Sequence, residues 1–182
     1  MNNLAKNKIY IWFLHILRIA LGGTFLAASC LKLAPLEVFL QQVNHYQIPL
    51  PESLLGIAGV LFIALETWIG LSLIFRSNFR LSLALFQLSL LFFIPLTIWG
   101  QMQGAASCGC YGAAVQIAPW VATVEDFIML LLSLLLVPLV HGRPWLRLPF
   151  TLREYLILLV SITSMITGFV QLQTLPSATC SF

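Results

Sequence analysis

Apolar residues along this chain run in long blocks, and polar residues are confined to the gaps between them. A helix needs roughly 20 apolar residues in line to cross about 30 Å of hydrocarbon. Five blocks reach that length, near 9–28, 54–75, 79–99, 121–140 and 155–175. They predict an all-α integral membrane protein: a bundle of about five transmembrane helices, a four-helix core plus one, forming a single membrane domain over 1–182. Between the first two blocks, Leu36, Phe39, Leu40 and Val43 recur at i, i+3, i+4 and i+7. That is one apolar stripe on a helix too short to span, and Pro35 suits its start. The spacing predicts an interfacial helix, followed by an extended turn through Ile48-Pro49-Leu50-Pro51.

Composition rules out a soluble reading. The chain is 60% hydrophobic and only 8% charged, with a mean hydropathy of +0.97, whereas soluble domains carry roughly 25% charged residues. Too little polar surface remains to cover the apolar blocks in water, so lipid is the expected solvent. No basic run points to nucleic acid.

Charge placement gives an orientation. Lys6, Lys8, Arg76, Arg80, Arg143, Arg147 and Arg153 all fall on one side of a five-span topology, and only Lys32 falls on the other. Positive residues in short loops mark the cytoplasmic side. The expectation is a multi-pass protein of a bacterial inner membrane, N-terminus cytoplasmic, C-terminus periplasmic. A cleaved signal ending before Cys30 is disfavoured, because Arg18 interrupts its apolar stretch.

That topology puts all four cysteines, Cys30, Cys108, Cys110 and Cys180, on the outer, oxidising side, where disulfides persist. Cys108-Gly109-Cys110-Tyr111-Gly112 is the sharpest motif. A disulfide across one intervening residue needs a bent backbone to bring its Cα atoms within bridging range, and glycines permit the bend. Strained or exposed disulfides are the exchanging ones, so Cys108 and Cys110 are the expected catalytic pair. A structural loop disulfide and a metal site are the weaker readings; the ligand spacing for zinc, haem or an iron–sulfur cluster is missing. Cys30 and Cys180 serve either as a relay for the pair or as a static bridge, since connectivity cannot be read from sequence.

Arg18 and Glu66 lie near the centres of the first two spans. Charges at that depth usually face the bundle interior and pair, so an intramembrane Arg18–Glu66 pair is expected, as a register-fixing contact or as a polar site. His15 lies about one turn before Arg18 on the same face. Glu125 and Asp126 open the fourth span just after the cysteine loop. They suit a helix N-terminus, and one of them could serve as proton acceptor during thiol exchange.

These residues, taken in order, resemble the MauE/DoxX-like membrane proteins. The likeness runs through Arg18, Gly22, Phe25, Lys32, Phe39, Val43, Tyr46, Pro49, Glu66 and Gly70 to the Cys-Gly-Cys-aromatic-Gly motif and Trp120. It implies a helical bundle akin to membrane thiol oxidoreductases of the vitamin K epoxide reductase type. It also implies a role in forming or shuffling disulfides in exported proteins. In the namesake methylamine-utilisation system that role is maturation of a disulfide-rich enzyme subunit with a thioredoxin-like partner. By the same resemblance, Cys108 and Cys110 are the redox pair. Cys30, Cys180 and the Glu125-Asp126 pair depart from the family pattern. The leading functional expectation is a periplasmic-side thiol–disulfide oxidoreductase. Its partner would be an exported thiol-containing or thioredoxin-like protein, and a bilayer quinone is one compatible acceptor. The alternatives are an assembly factor with structural disulfides and a small-solute transporter built on Arg18 and Glu66.

Overall fold

The computed structural model describes residues 2–44, 46, 51–105, 107–108, 110–112, 115–140 and 151–174, without the side chains of 2–7 and 52. Cys180, Gly109, Arg143, Arg147 and most of the 48–51 turn lie outside the described residues.

Among the described residues six α-helices follow one another: α1 (Asn2–Leu33), α2 (Leu36–Asn44), α3 (Glu52–Phe75), α4 (Phe79–Met102), α5 (Pro119–Leu134) and α6 (Leu152–Thr174). Four of them, α1, α3, α4 and α6, carry stretches long and apolar enough to cross a membrane. The protein is therefore an all-α, multi-pass membrane protein. Its flanks bear the pattern lipid requires: Trp12, Ile16, Leu88, Leu91, Phe92, Leu131, Leu159 and Ile166 are all exposed. The backbone behind them is bonded along each helix, except that Pro95 inside α4 has no N–H to offer the Leu91 carbonyl.

The fourth apolar block is not one helix over 121–140. Its helix α5 has 16 residues, about 24 Å at 1.5 Å per residue. A turn follows, then a 3₁₀ segment, Val137–Val140. Pro138 supplies the reason: it has no N–H to continue the ladder, and its ring would clash with the carbonyl one turn back. The turn buries Leu136 completely, in a core with Leu14, Leu73, Phe79 and Phe86.

Helix α3 is the hub. It packs on α1, α4, α6 and α2, while α4 holds α5 on its other side. Helices α1 and α3 approach closely at Gly22 and Gly70, where a Cβ on either would lie 2.8 Å from the other's carbonyl oxygen. Small residues allow such backbone contact in membranes. Polar cross-links hold the interior: Thr67 donates to Ser29 at 3.2 Å, and the Thr97 and Thr123 hydroxyls meet at 2.8 Å.

The bundle has two unlike ends. One carries the start of α1, the α3–α4 turn and the start of α6, with Lys8, Arg76, Arg80 and Arg153. The other carries the end of α1, α2, the loop 103–118 and the start of α5. There α2 lays Leu36 and Phe39 onto Val60 and Ile63 of α3, with Met165, Phe169 and Leu172 of α6 alongside. This burial is why its apolar stripe folds as a helix despite its short length.

Candidate functional site

The loop 103–118 is pinned at the second end by three neighbours. Gly112 has φ +59°, a left-handed conformation that favours glycine, and a Cβ there would lie 2.4 Å from the Leu31 carbonyl oxygen. The loop therefore sits directly on the end of α1. Tyr111 donates its hydroxyl to Glu125, which lies in the second turn of α5; the helix begins at Pro119 with no acid in its first turn, so the expectation that Glu125 and Asp126 open it is corrected. The Cys108 N–H bonds to the Ile117 carbonyl at 3.0 Å, closing the loop on itself.

The third neighbour is Tyr46, just beyond α2. It is buried; its hydroxyl donates to the Cys108 carbonyl at 2.7 Å. Its own carbonyl accepts the Trp99 Nε1–H at 3.1 Å. Its ring occupies the space a Cβ on Gly100 would need, 2.4 Å from the ring edge. The end of α2 thus clamps the cysteine loop against α4. Burial and the nearby thiols push the Tyr46 phenol well up, so it stays a donor.

Within the clamp, Cys108 is buried and Cys110 is half-buried. The Cys110 N–H points at the Cys108 sulfur, 3.1 Å away. The Cys110 thiol lies 3.8 Å from the Cys108 carbonyl. The two thiols are made unequal by this arrangement. Hydrogen bonding from the Cys110 thiol, aided by its N–H, lowers the Cys108 thiol against the opposing effect of burial. The same pairing, with burial added, pushes the Cys110 thiol well up. Hydrogen bonds to a charged form favour that form, so of the two thiols Cys108 is the more readily ionised.

Below the loop lies an ion pair. Lys32 Nζ contacts both carboxylate oxygens of Glu66, at 2.6 and 2.7 Å, and both side chains are almost fully buried. Three rings surround the ammonium, with Phe39, Phe62 and Phe93 centroids at 5.8, 5.2 and 5.5 Å, within cation–π range. Glu66 therefore takes Lys32 as its partner, and the expected Arg18–Glu66 pair is corrected. Gly22 lies opposite Gly70 in the antiparallel α1–α3 contact, which puts Arg18 level with the end of α3. There the Arg18 guanidinium donates to the carbonyls of Leu73 and Ile74, the latter at 2.8 Å. Glu66 is about two turns away along α3, roughly 11 Å at helical rise. Lys32 was visible in sequence as the lone cation on its side and as one position of the family likeness, not as a partner for Glu66. The signal that it reaches inward is the absence of any helix breaker between Ala28 and Pro35, which carries α1 on to Leu33.

Two cavities flank the thiols. A small one of about 30 Å³ is lined by Cys110, Glu125, Asp126, Lys32 and Glu66, enough space for a single water. One carboxylate oxygen of Asp126 is buried there without a partner among the described residues, whereas Glu125 is engaged by Tyr111. A larger cavity of about 400 Å³ lies between α2, α3 and α4, with Cys108, Cys110, Lys32 and Tyr46 in its wall. Cys30 is not brought to this site. It is exposed, two residues before the inward-facing Lys32, on another face of α1. No group of three or more potential metal ligands occurs among the described residues.

Residues 10–139 match the family model of the methylamine utilisation protein MauE. The chain belongs to the MauE family. The MauE match spans the whole of the site, from Arg18 through Lys32, Tyr46 and Glu66 to the two thiols and Asp126, and ends before α6. No curated protein and no solved structure matches the chain.

Proposed function

We propose that this MauE-family protein is a membrane thiol–disulfide oxidoreductase that passes disulfides to exported proteins on the periplasmic side of a bacterial inner membrane. The observation that carries the reading is the inequality of two adjacent thiols in a clamped loop: Cys110 directs its N–H at the Cys108 sulfur and lowers that thiol.

The inequality gives the exchange a direction. In the oxidised form, a thiolate of the partner attacks the Cys110 sulfur, and the Cys108–Cys110 bond breaks. Cys108 leaves as the stabilised thiolate, and a more acidic thiol leaves faster. The partner's second thiolate then attacks its own sulfur in the mixed disulfide and releases Cys110, which takes up a proton. The partner dithiol is oxidised by two electrons, and the Cys108–Cys110 pair is reduced by two. The unpartnered oxygen of Asp126 in the small cavity beside Cys110 supports a role for Asp126 in exchanging that proton through one water. Lys32, held by Glu66, adds a fixed positive charge beside both sulfurs. Cys30 and Cys180 lie outside this step; they serve as a second pair or a static bridge. A thioredoxin-like protein or an unfolded exported chain fits the role of partner. The same orientation keeps Arg76, Arg80 and Arg153 cytoplasmic.

The test is mixed-disulfide trapping. Cys108→Ala leaves Cys110 to hold a partner covalently, and Cys110→Ala removes the attacked sulfur. Adducts accumulating on C108A and not on C110A are expected. Equal trapping, or none on either, would overturn the assignment.

A further inference from the structure

We propose that the end of the bundle opposite the thiols binds the phosphate of an anionic phospholipid, held between Arg76 of the α3–α4 turn and Arg153 at the start of α6. The site is separate from the thiols and does not rest on their exchange.

One contact brings the two arginines to the same seam. The Ser77 hydroxyl donates to Glu154 at 3.2 Å, and both residues are buried. Arg76 precedes Ser77 and Arg153 precedes Glu154 in the chain, so the two cations flank the junction of the turn with α6. The second oxygen of Glu154 accepts the Thr151 N–H at 2.7 Å, so both its oxygens are engaged. Glu154 offsets at most one charge at this end, where Lys8, Arg76, Arg80 and Arg153 outnumber it. The remaining acids, Glu37, Glu52, Glu66, Glu125 and Asp126, lie at the thiol end or inside the bundle.

Arg76 is not explained by the closing of its own helix. It follows the last residue of α3 with φ +60°, a left-handed position where glycine is the favoured residue. The last carbonyls of α3 already have a cation, since Arg18 donates to Leu73 and Ile74. The Arg76 Nε is buried and has no hydrogen-bond partner among the described residues. A buried donor in that condition lowers stability until an acceptor meets it. An arginine at a strained position with an unmet donor is what a ligand clamp shows.

Chemistry selects the ligand. A guanidinium presents a planar fork of donors that fits phosphate oxygens, and a phosphodiester offers one unesterified oxygen to each arginine. Phe75, Leu152 and Leu156, close to the two arginines in the chain, are exposed and give acyl chains an apolar bed next to the charged seam. A soluble anion has no use for that bed, and a zwitterionic headgroup brings its own cation to the arginines. Basic sites between transmembrane helices hold anionic headgroups by this combination.

The experiment uses the full chain in detergent, with dioleoyl phosphatidylglycerol as the probe and dioleoyl phosphatidylcholine as the reference. Native mass spectrometry counts the bound lipid. Retention of phosphatidylglycerol in preference to phosphatidylcholine is expected. Removing either arginine should weaken it by about fivefold, and removing both by about 25-fold. Arg76→Gly suits the left-handed backbone, so its thermal stability without added lipid should match the parent's, and lost binding is then not lost folding. Arg153→Gln alters an exposed residue and serves as the second variant. Lys8→Gln removes a cation from α1, outside the seam, and should leave retention unchanged. Equal loss in Lys8→Gln would reduce the site to diffuse charge attraction and overturn the proposal. No preference for phosphatidylglycerol, or a preference untouched in both folded arginine variants, would also overturn it. Water-soluble glycerol phosphate should not displace the lipid; displacement at comparable concentration would make this a soluble-phosphate site and contradict the lipid assignment.

Discussion

The Tyr46 hydroxyl and the Cys108 carbonyl, 62 positions apart in the chain, meet in a buried 2.7 Å hydrogen bond. This contact ties the end of α2 to the cysteine loop and fixes where the loop stands relative to the apolar cavity. Tyr46→Phe keeps the ring in its place beside Gly100 and removes only the donor. Its expected stability cost is small, about 1 kcal/mol, while alkylation of reduced Cys108 becomes clearly faster. Gly100→Ala should act more strongly in the same sense, since a Cβ there displaces the ring. An alkylation rate unchanged in both variants would remove the clamp from the description of the site.

The buried Lys32–Glu66 pair sets a second expectation. Removing one partner strands the other charge, so Lys32→Met and Glu66→Leu alone should each destabilise the fold by about 3–5 kcal/mol, and the double variant should recover most of that loss. Thermal unfolding in detergent checks the pattern. Additive losses in the double variant would show that the two residues do not act as a pair.

The thiol inequality makes a pH prediction. In the reduced protein Cys108 is lowered, first by the Cys110 thiol and then by its N–H, against burial. Its alkylation rate should rise with pH through a midpoint below the ordinary thiol value of about 8.5. Cys110 is raised and should react only at higher pH. In Cys110→Ala the side-chain donor is lost and burial remains, so the Cys108 midpoint moves up. A Cys108 midpoint that stays fixed in that variant contradicts the proposed coupling.

Gly112→Ala tests the seat of the loop. The left-handed backbone alone makes a non-glycine residue unfavourable by about 1–3 kcal/mol, and the new Cβ would run into the Leu31 carbonyl. The variant should unfold at lower temperature and lose the rate difference between its two thiols. A variant that keeps both would show that the loop does not depend on its seat against α1.

What the sequence disclosed and what it hid divide along physical lines. Helix existence was legible, because twenty-residue apolar blocks admit one solution in lipid. The short α2 was legible from its stripe at helical spacing. The Cys-Gly-Cys loop was legible as chemistry, since its residue types and spacing are unusual. Helix ends were less so: α1 continues past Ala28 to Leu33, and α5 stops before Pro138. Those few residues decide the electrostatics, because they turn Lys32 into the partner of Glu66. The Arg18–Glu66 expectation assumed equal depth from equal distance to the block centres, whereas the register is set by the close Gly22–Gly70 contact. Tyr46 carries no chemistry-bearing pattern of its own, and only tertiary packing reveals its bond to Cys108.

The most direct measurement is thiol trapping in intact cells with a membrane-impermeant alkylating reagent, before and after mild reduction, each cysteine being assigned by mass spectrometry. The expected result is that Cys108 and Cys110 switch readily between disulfide and labelled thiols from the outer side. Cysteines that stay oxidised under all mild conditions, or that label only after the membrane is opened, would contradict it; the loop would then be a brace, or would face the cytoplasm.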